Sequence, residues 1–370
     1  MSYTDLYKEL ARVFNPGVRE ITLPGSGMKI VNTSFTSEVP GDIYSGSDFS
    51  IQENITFSYP VFVPPGRSNK VILLFHGLNE RSWIKYLTWA YYLSAGTDSY
   101  VILFPISFHM NRSPVSWSDP RQMMKFLGEK SAVRGEVRSS SFANIALSNR
   151  LSDDPTRFIK SGYQTVSDVV KLMKQIRDGA DPVVPADSEV NVFAYSIGAY
   201  LSEILMMADP GGYFSGSKLF MFCGGSVFGN MFGESKLIMD REAYEKVHSY
   251  YMDQFEEDIQ GKTPVLKFIA SGKVGMAFRS MISFARFRDI REKALVKLRE
   301  RICAIALSKD KIIPAAGIGA TLGKGSRFKV LDFPYDYIHE NPFPVSGRHI
   351  CQAVDSSFER VFDMACRFLS

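Results

Sequence analysis

From residue 71 onward the chain alternates short, wholly apolar runs with amphipathic stretches, and few folds accommodate that grammar. Val71–Phe75, Tyr100–Pro105, Val190–Tyr195, Lys218–Cys223, Ile302–Leu307 and Phe328–Phe333 read as strands. Between them, Val166, Val169, Val170, Met173 and Ile176 share one face of a helix. A second helix is expected after Ser82, with Trp83, Leu87, Ala90 and Tyr91 on one side and Gly96 at its end. The chain closes on another, carrying Phe358, Val361, Phe362, Ala365 and Leu369. A strand that is apolar on both faces must be covered on both faces, and parallel strands need helical crossovers to do so. The pattern predicts a three-layer α/β fold around a mostly parallel sheet.

Two stretches interrupt the rhythm and set the expected organisation. Residues 1–50 are weakly patterned and read as an N-terminal extension, with a helix over Asp5–Val13 and short strands. Asn54–Val63 alternates apolar and polar residues and predicts an early antiparallel strand. The core spans 51–225 and 301–370, with a polar insertion at 107–160. Residues 226–300 are Met- and Phe-rich and helical in pattern. Within them, Arg286–Arg301 reads as a solvated helix face.

Composition excludes several function classes. At 45% apolar and 22% charged residues in 370, the chain has the makeup of a folded globular protein rather than a disordered one. Lys+Arg minus Asp+Glu is 43 − 39 = +4, which predicts no nucleic acid partner and no anionic membrane surface. The longest apolar runs fall far short of the ~20 residues that span a bilayer, so no transmembrane segment is expected. The start Met1-Ser-Tyr-Thr-Asp lacks the basic and apolar regions of a signal peptide, which predicts a cytoplasmic protein. The four cysteines form no CxxC pair, no His/Asp/Glu cluster has metal-ligand spacing, and no Gly-rich phosphate loop is present. No metal and no other cofactor is therefore predicted. Nothing in the sequence sets an oligomeric state.

The sharpest local signal is Asn191-Val-Phe-Ala-Tyr-Ser196-Ile-Gly-Ala-Tyr. A strand runs into Ser196 and a helix runs out of it, with small Ala194 and Gly198 at −2 and +2. So tight a turn needs small residues there, and it lifts the hydroxyl above the sheet. It also puts the Ile197 N–H at a helix start, where it can stabilise an oxyanion. The plainer reading is a serine that caps the helix. Tyr195, next to it, is a candidate substrate contact. A second signal, His76-Gly77-Leu78-Asn79, follows the strand Val71–Phe75. There the Leu78 N–H is the expected oxyanion partner, with Asn79 as a side-chain contributor and His76 holding the loop. Asp310 follows the strand Ile302–Leu307, either to orient a histidine or to form a turn. His339 follows the last strand and suits a general base. His349 is the reserve for that role, and Asp332 and Asp336 are reserves for the acid. His109 and Arg112 follow Tyr100–Pro105, where they either bind a substrate anion or anchor the insertion. Trp117 either packs over the pocket or holds the loop.

The order Ser196…Asp310…His339, the strand-borne His-Gly loop and the strand–Ser–helix turn resemble the α/β-hydrolase superfamily, over roughly residues 52–225 and 300–370. Ala194 stands where that superfamily usually has glycine. The string from His76 to Arg81 fits no characterised subgroup, and an uncharacterised, bacterial branch is the expectation. The resemblance implies a serine nucleophile, a His339 base, an Asp310 acid and a small-molecule acyl substrate, an ester or thioester. An amide substrate, transfer to an alcohol, or a non-catalytic binding protein are the alternatives. It also gives residues 226–300 the meaning of a helical cap. Phe228, Met231, Phe278 and Met281 there serve either to line an acyl pocket or to pack the cap onto the core.

Overall fold

The computed structural model describes the whole chain except Met1 and residues 39–42, 44–45, 262–263 and 346–348. Its strands are β1 (Glu20–Thr22), β2 (Lys29–Thr36), β3 (Thr56–Val63), β4 (Lys70–Phe75), β5 (Tyr100–Leu103), β6 (Glu189–Tyr195), β7 (Leu219–Phe222), β8 (Ile302–Leu307) and β9 (Arg327–Leu331). They form one sheet in the order β1-β2-β3-β5-β4-β6-β7-β8-β9. The strands β1, β2, β3 and β5 pair antiparallel, and the ladders from β5 through β9 are parallel. This is the three-layer α/β-hydrolase architecture.

Period-two alternation explains why both faces are apolar. Along β4, Val71, Leu73 and Phe75 enter one core while Ile72 and Leu74 enter the other. Helices Arg157–Arg177 and Ile197–Ala208 cover the first face. Tyr3–Val13, Ile84–Thr97 and Cys351–Leu369 cover the second. With helices on both sides, neither set of side chains reaches water.

The strand order also creates the crevice. After β4 the chain crosses to β5 on one side, then returns to β6 on the other. Loops leaving β4 and β6 diverge, and a cleft opens at their carboxyl ends. The register Phe75↔Ala194 sets the Gly77 loop beside Ser196.

Several expectations need adjustment. Residues 1–50 are more than an extension: β2 pairs with β3 over eight residues, and Tyr3, Leu6 and Leu10 are buried in the second core. The Tyr3 ring stacks on Phe358 at 4.1 Å. The first helix starts at Tyr3, because the Ser2 hydroxyl accepts the Asp5 N–H and caps it. The strand expected over Asn54–Val63 starts at Thr56, since Gln52–Ile55 forms a helical turn. The polar insertion carries two helices, Pro120–Arg134 and Ile145–Asp153. In 226–300, between β7 and β8, the helices are Arg241–Ser249, Phe255–Gly261, Pro264–Ala270, Gly272–Ser280 and Arg288–Leu298. Arg291 departs from the solvated face expected of its helix. It is fully buried and donates to the carbonyls of Ser280, Ser283 and Phe284.

Because the first helix completes the second core, Leu10→Ala should destabilise the protein by about 2–5 kcal/mol. Urea denaturation checks this. A loss well under ~1 kcal/mol would mean the helix is an appendage after all.

Candidate active site

Ser196 stands between β6 and helix Ile197–Ala208 with φ 57° and ψ −123°. A non-glycine residue held there costs about 1–3 kcal/mol, so the surrounding structure must enforce it. The turn also brings backbone segments into close approach. A Cβ on Gly198 would lie 2.8 Å from the Phe75 carbonyl, the His76 carbonyl and the Phe75 Cβ. Two of those three are backbone atoms at the end of the neighbouring strand β4 and cannot swing aside. The side chain at −2, Ala194, is completely buried.

The turn presents the Ser196 hydroxyl to His339. The Oγ–Nε2 distance is 2.7 Å, and His339 Nδ1 lies 2.7 Å from Asp310 Oδ2. A carboxylate oxygen only accepts, so Nδ1 carries the hydrogen and Nε2 presents its lone pair to the serine. Asp310 is fixed from its other oxygen, which accepts the Ile312 and Ile313 N–H groups at 2.9 Å each. All three residues are buried, at 4–5% exposure. The structure thus brings together residues separated by 114 and 29 positions (310 − 196 and 339 − 310).

The loop after β4 faces this group. Among the described residues, neither the Leu78 nor the Ile197 backbone N–H donates to an acceptor. Both residues border the cavity that opens at Ser196. His76 holds the loop: Nδ1–H donates to the Gly77 carbonyl at 2.8 Å, and Nε2 accepts the Ile106 N–H at 2.9 Å. Burial pushes its pKa down to about 3, so the ring is neutral as both bonds require.

A second clamp on this loop has no local sequence signature. The Gly77 N–H donates to the Tyr86 hydroxyl at 3.0 Å, and that hydroxyl donates to Glu80 at 2.9 Å. Lys85 donates to the same carboxylate and, at 3.0 Å, to the Glu340 carbonyl, next to His339. One network therefore ties the Leu78 loop to the histidine loop. In the sequence Lys85 and Tyr86 look like ordinary first-turn helix residues. Their roles depend on partners brought in by the fold.

The remaining candidates have other tasks. Both amide hydrogens of Asn79 are spent on the Ala143 and Leu237 carbonyls, at 2.8 and 2.7 Å, so none is left for a ligand. Arg112 is fully buried, paired with Asp168 at 2.8 Å and bonded to the Pro105 and Asn54 carbonyls. The guanidinium groups of Arg81 and Arg150 pack over the Trp117 ring at 5.3 and 4.7 Å, contacts that tie the insertion down. Tyr195 is buried and donates its hydroxyl to the His339 carbonyl, which positions that loop. His109 borders a second apolar cavity next to the Ser196 one, with Nδ1–H on the Ser107 carbonyl at 2.9 Å. Burial keeps it neutral. His349, Asp332 and Asp336 are exposed. Asp332 accepts the Tyr337 hydroxyl and sits 3.6 Å from Lys309.

Among the described residues, no group of three His, Cys, Asp or Glu side chains could hold a metal ion, and no helix is long and apolar enough to cross a membrane.

Two outcomes follow from this geometry. Gly198→Val should cost several kcal/mol or prevent folding, since the added carbons meet backbone atoms (overpacking alone costs about 1–3 kcal/mol). Thermal unfolding checks it. The second concerns pH. The unfolded chain binds the His76 proton near pH 6.5, the folded protein only near 3. Stability is thus intact above the unfolded value and is lost as pH falls toward the folded one. His76→Gln should flatten that fall by up to about 1.4 kcal/mol per pH unit between pH 4 and 6. Urea titrations across that range measure it, and an unchanged slope would show that His76 is not the group responsible.

Residues 41–370 match the family described as "Family of unknown function (DUF6051)". No curated protein matches the sequence. Among solved structures, similar chains include carboxyl esterase 2 from the mycorrhizal fungus Tuber melanosporum, at 12% identity and TM-score 0.49, covering 99% of this chain and 98% of that one. Esterase Est22 is similar at 14% identity and TM-score 0.49, covering 99% and 87%. Brefeldin A esterase, a bacterial homologue of human hormone-sensitive lipase, is similar at 12% identity and TM-score 0.48, covering 99% and 84%. Likenesses this distant say nothing of what this chain acts on.

Proposed function

The chain belongs to DUF6051, a family that brings no function with it, and we propose from its site that it is a serine hydrolase cleaving an ester or thioester through an acyl-enzyme. The observation that carries this is the pair of 2.7 Å contacts linking Ser196, His339 and Asp310 at a strained strand–helix turn. A serine that only capped its helix would accept a backbone N–H. This one makes no such bond and faces an imidazole instead.

The chemistry runs in two halves. Ser196 Oγ attacks the carbonyl carbon while His339 Nε2 takes its proton. The carbonyl oxygen becomes an oxyanion, held by the Leu78 and Ile197 N–H groups. Collapse breaks the bond to the leaving group, which departs with the proton from His339. Water then attacks the acyl-enzyme, His339 takes and returns a proton, and Ser196 is restored. Asp310 holds the imidazole tautomer throughout and stabilises the imidazolium.

The cavity walls favour an ester or thioester over an amide. Around Ser196 they consist of Leu78, Ile197, Phe228, Met231, Ile238 and Ile312 among others. An amide would bring an N–H that finds no acceptor on such walls, and an unpaired buried donor costs about 1–3 kcal/mol. Residues 226–300 act as the cap of this pocket, supplying Phe228, Met231 and Ile238.

A fluorophosphonate probe, which needs an activated serine, should label the wild-type protein at Ser196. Ser196→Ala should lose labelling and lower kcat on activated esters by at least about ten-thousandfold. Asp310→Asn should cost about ten-thousandfold, because a neutral amide permits the wrong His339 tautomer. A wild-type protein that resists the probe would leave the non-catalytic reading.

A further inference from the structure

Two cavities adjoin at the reacting serine, and they lie on opposite sides of it in the sheet. The first is bordered by Ser196 itself, by Phe228 and Met231 from the loop after β7, and by Ile312 and Ile313 from the loop after β8. The second takes Ile106 and Phe108 from the loop after β5, Tyr200 and Ile204 from the helix after Ser196, and Val274 and Phe278 from the cap. In the sheet, β5 lies to one side of the central β4–β6 pair, and β7 and β8 lie to the other. Leu78, Phe158 and Ile197 border both cavities. The chambers therefore meet at the two N–H groups assigned to the oxyanion.

Both walls are almost wholly apolar. The two arginines bordering the second chamber, Arg150 and Arg157, are held by Asp48 at 2.6 and 2.7 Å. The Ser161 hydroxyl there donates to the Ser107 carbonyl at 3.0 Å. Such walls suit hydrocarbon on either side of the reacting carbonyl.

The position of His339 gives the substrate a direction. It reaches Ser196 from the loop after β9, which lies beyond β8. The proton it takes from Ser196 must be handed to the departing oxygen, so the leaving group sits on the β7–β8 side. The acyl chain then extends the other way, past Phe158 and toward β5. We propose that the substrate is an ester apolar on both sides of the scissile bond. Its acyl chain occupies the chamber on the β5 side, and its alcohol part occupies the chamber on the β7 side. This rests on the hydrolase reading, and it disfavours thioesters of polar carriers, whose leaving group would be desolvated without partners.

Two ester series test the assignment. In one, p-nitrophenyl esters vary from acetyl to decanoyl. In the other, butyrate esters vary from ethyl to decyl alcohol. Wild-type kcat/KM should rise with length in both series, by up to about threefold to fourfold per buried methylene until the chamber is full. Val274→Trp, which narrows the β5-side chamber, should lower the decanoyl-to-acetyl ratio at least tenfold and shift the alcohol ratio far less. Met231→Trp should do the reverse. Val274 is only half-buried, so that variant tolerates the larger ring best. Should one variant misfold, the other decides the direction by itself, and the two wild-type length series decide whether both sides of the bond are apolar. Labelling of Ser196 by fluorophosphonate together with a flat response to acyl length overturns this proposal and leaves the hydrolase reading standing. Exchanged effects of the two variants overturn the direction assigned to the substrate. Failure of wild-type protein both to label and to hydrolyse any ester overturns the hydrolase reading and this proposal with it.

Discussion

The close approach of the Ser196 turn to the end of β4 is the contact on which the site depends. The backbone at Phe75 and His76 comes so near Gly198 that not even a methyl group fits between them. Next to that contact Ser196 is held at φ 57°, a conformation the residue would not hold alone. The contact also sets the Leu78 loop beside the Ile197 N–H. Both features come from one ladder, the β4–β6 pairing that places Phe75 opposite Ala194. The strain at the turn is balanced by burial of the strands around it, since β4, β5, β6 and β7 lie between two covered faces.

Around that contact the polar side chains are spent on holding loops. His76 joins the β4 loop to the β5 loop, and Glu80, Lys85 and Tyr86 join it to the histidine loop. Asn79 ties it to the 107–160 stretch and to the segment after β7 through the Ala143 and Leu237 carbonyls. Buried polar groups of this kind are costly unless paired, and here they are paired across loops of different origin. The result is a rigid polar frame around a pocket whose walls are apolar. The frame comes from the loops, and the pocket walls come from residues of the segment between β7 and β8 and of helix Arg157–Arg177.

The candidates that turned out to be anchors are instructive. Arg112 and Asn79 lie on the loops that leave the carboxyl ends of β5 and β4, where ligand contacts are common, and a charge or amide there invites a functional reading. A strand end also has unpaired backbone carbonyls, and a long donor side chain can satisfy them. Which of the two happens depends on whether a carbonyl from another segment comes within reach. For Arg112 those carbonyls belong to Asn54 and Pro105, and its charge is met by Asp168, far apart in the chain.

The layered sheet could be derived from the sequence because its cause is local. Runs such as Val71–Phe75 are apolar on successive residues, so both faces need cover whatever the rest of the chain does. The turn at Ser196 was legible for the same reason, since Ala194, Ser196 and Gly198 are a steric requirement written within five residues. Asp310 and His339 could be named only as residues that follow strands. Their 2.7 Å contacts exist because the sheet order puts β8 and β9 on one side of β6, and no local pattern encodes that order. The helices of the insertion were hidden by its polarity, because their buried faces are narrow and meet other segments. The core role of helix Tyr3–Val13 was hidden too. An eleven-residue helix declares its apolar side but not the surface that receives it. Local sterics and periodicity are properties of neighbouring residues, whereas convergence is a property of how distant segments pack, and that only the tertiary structure decides.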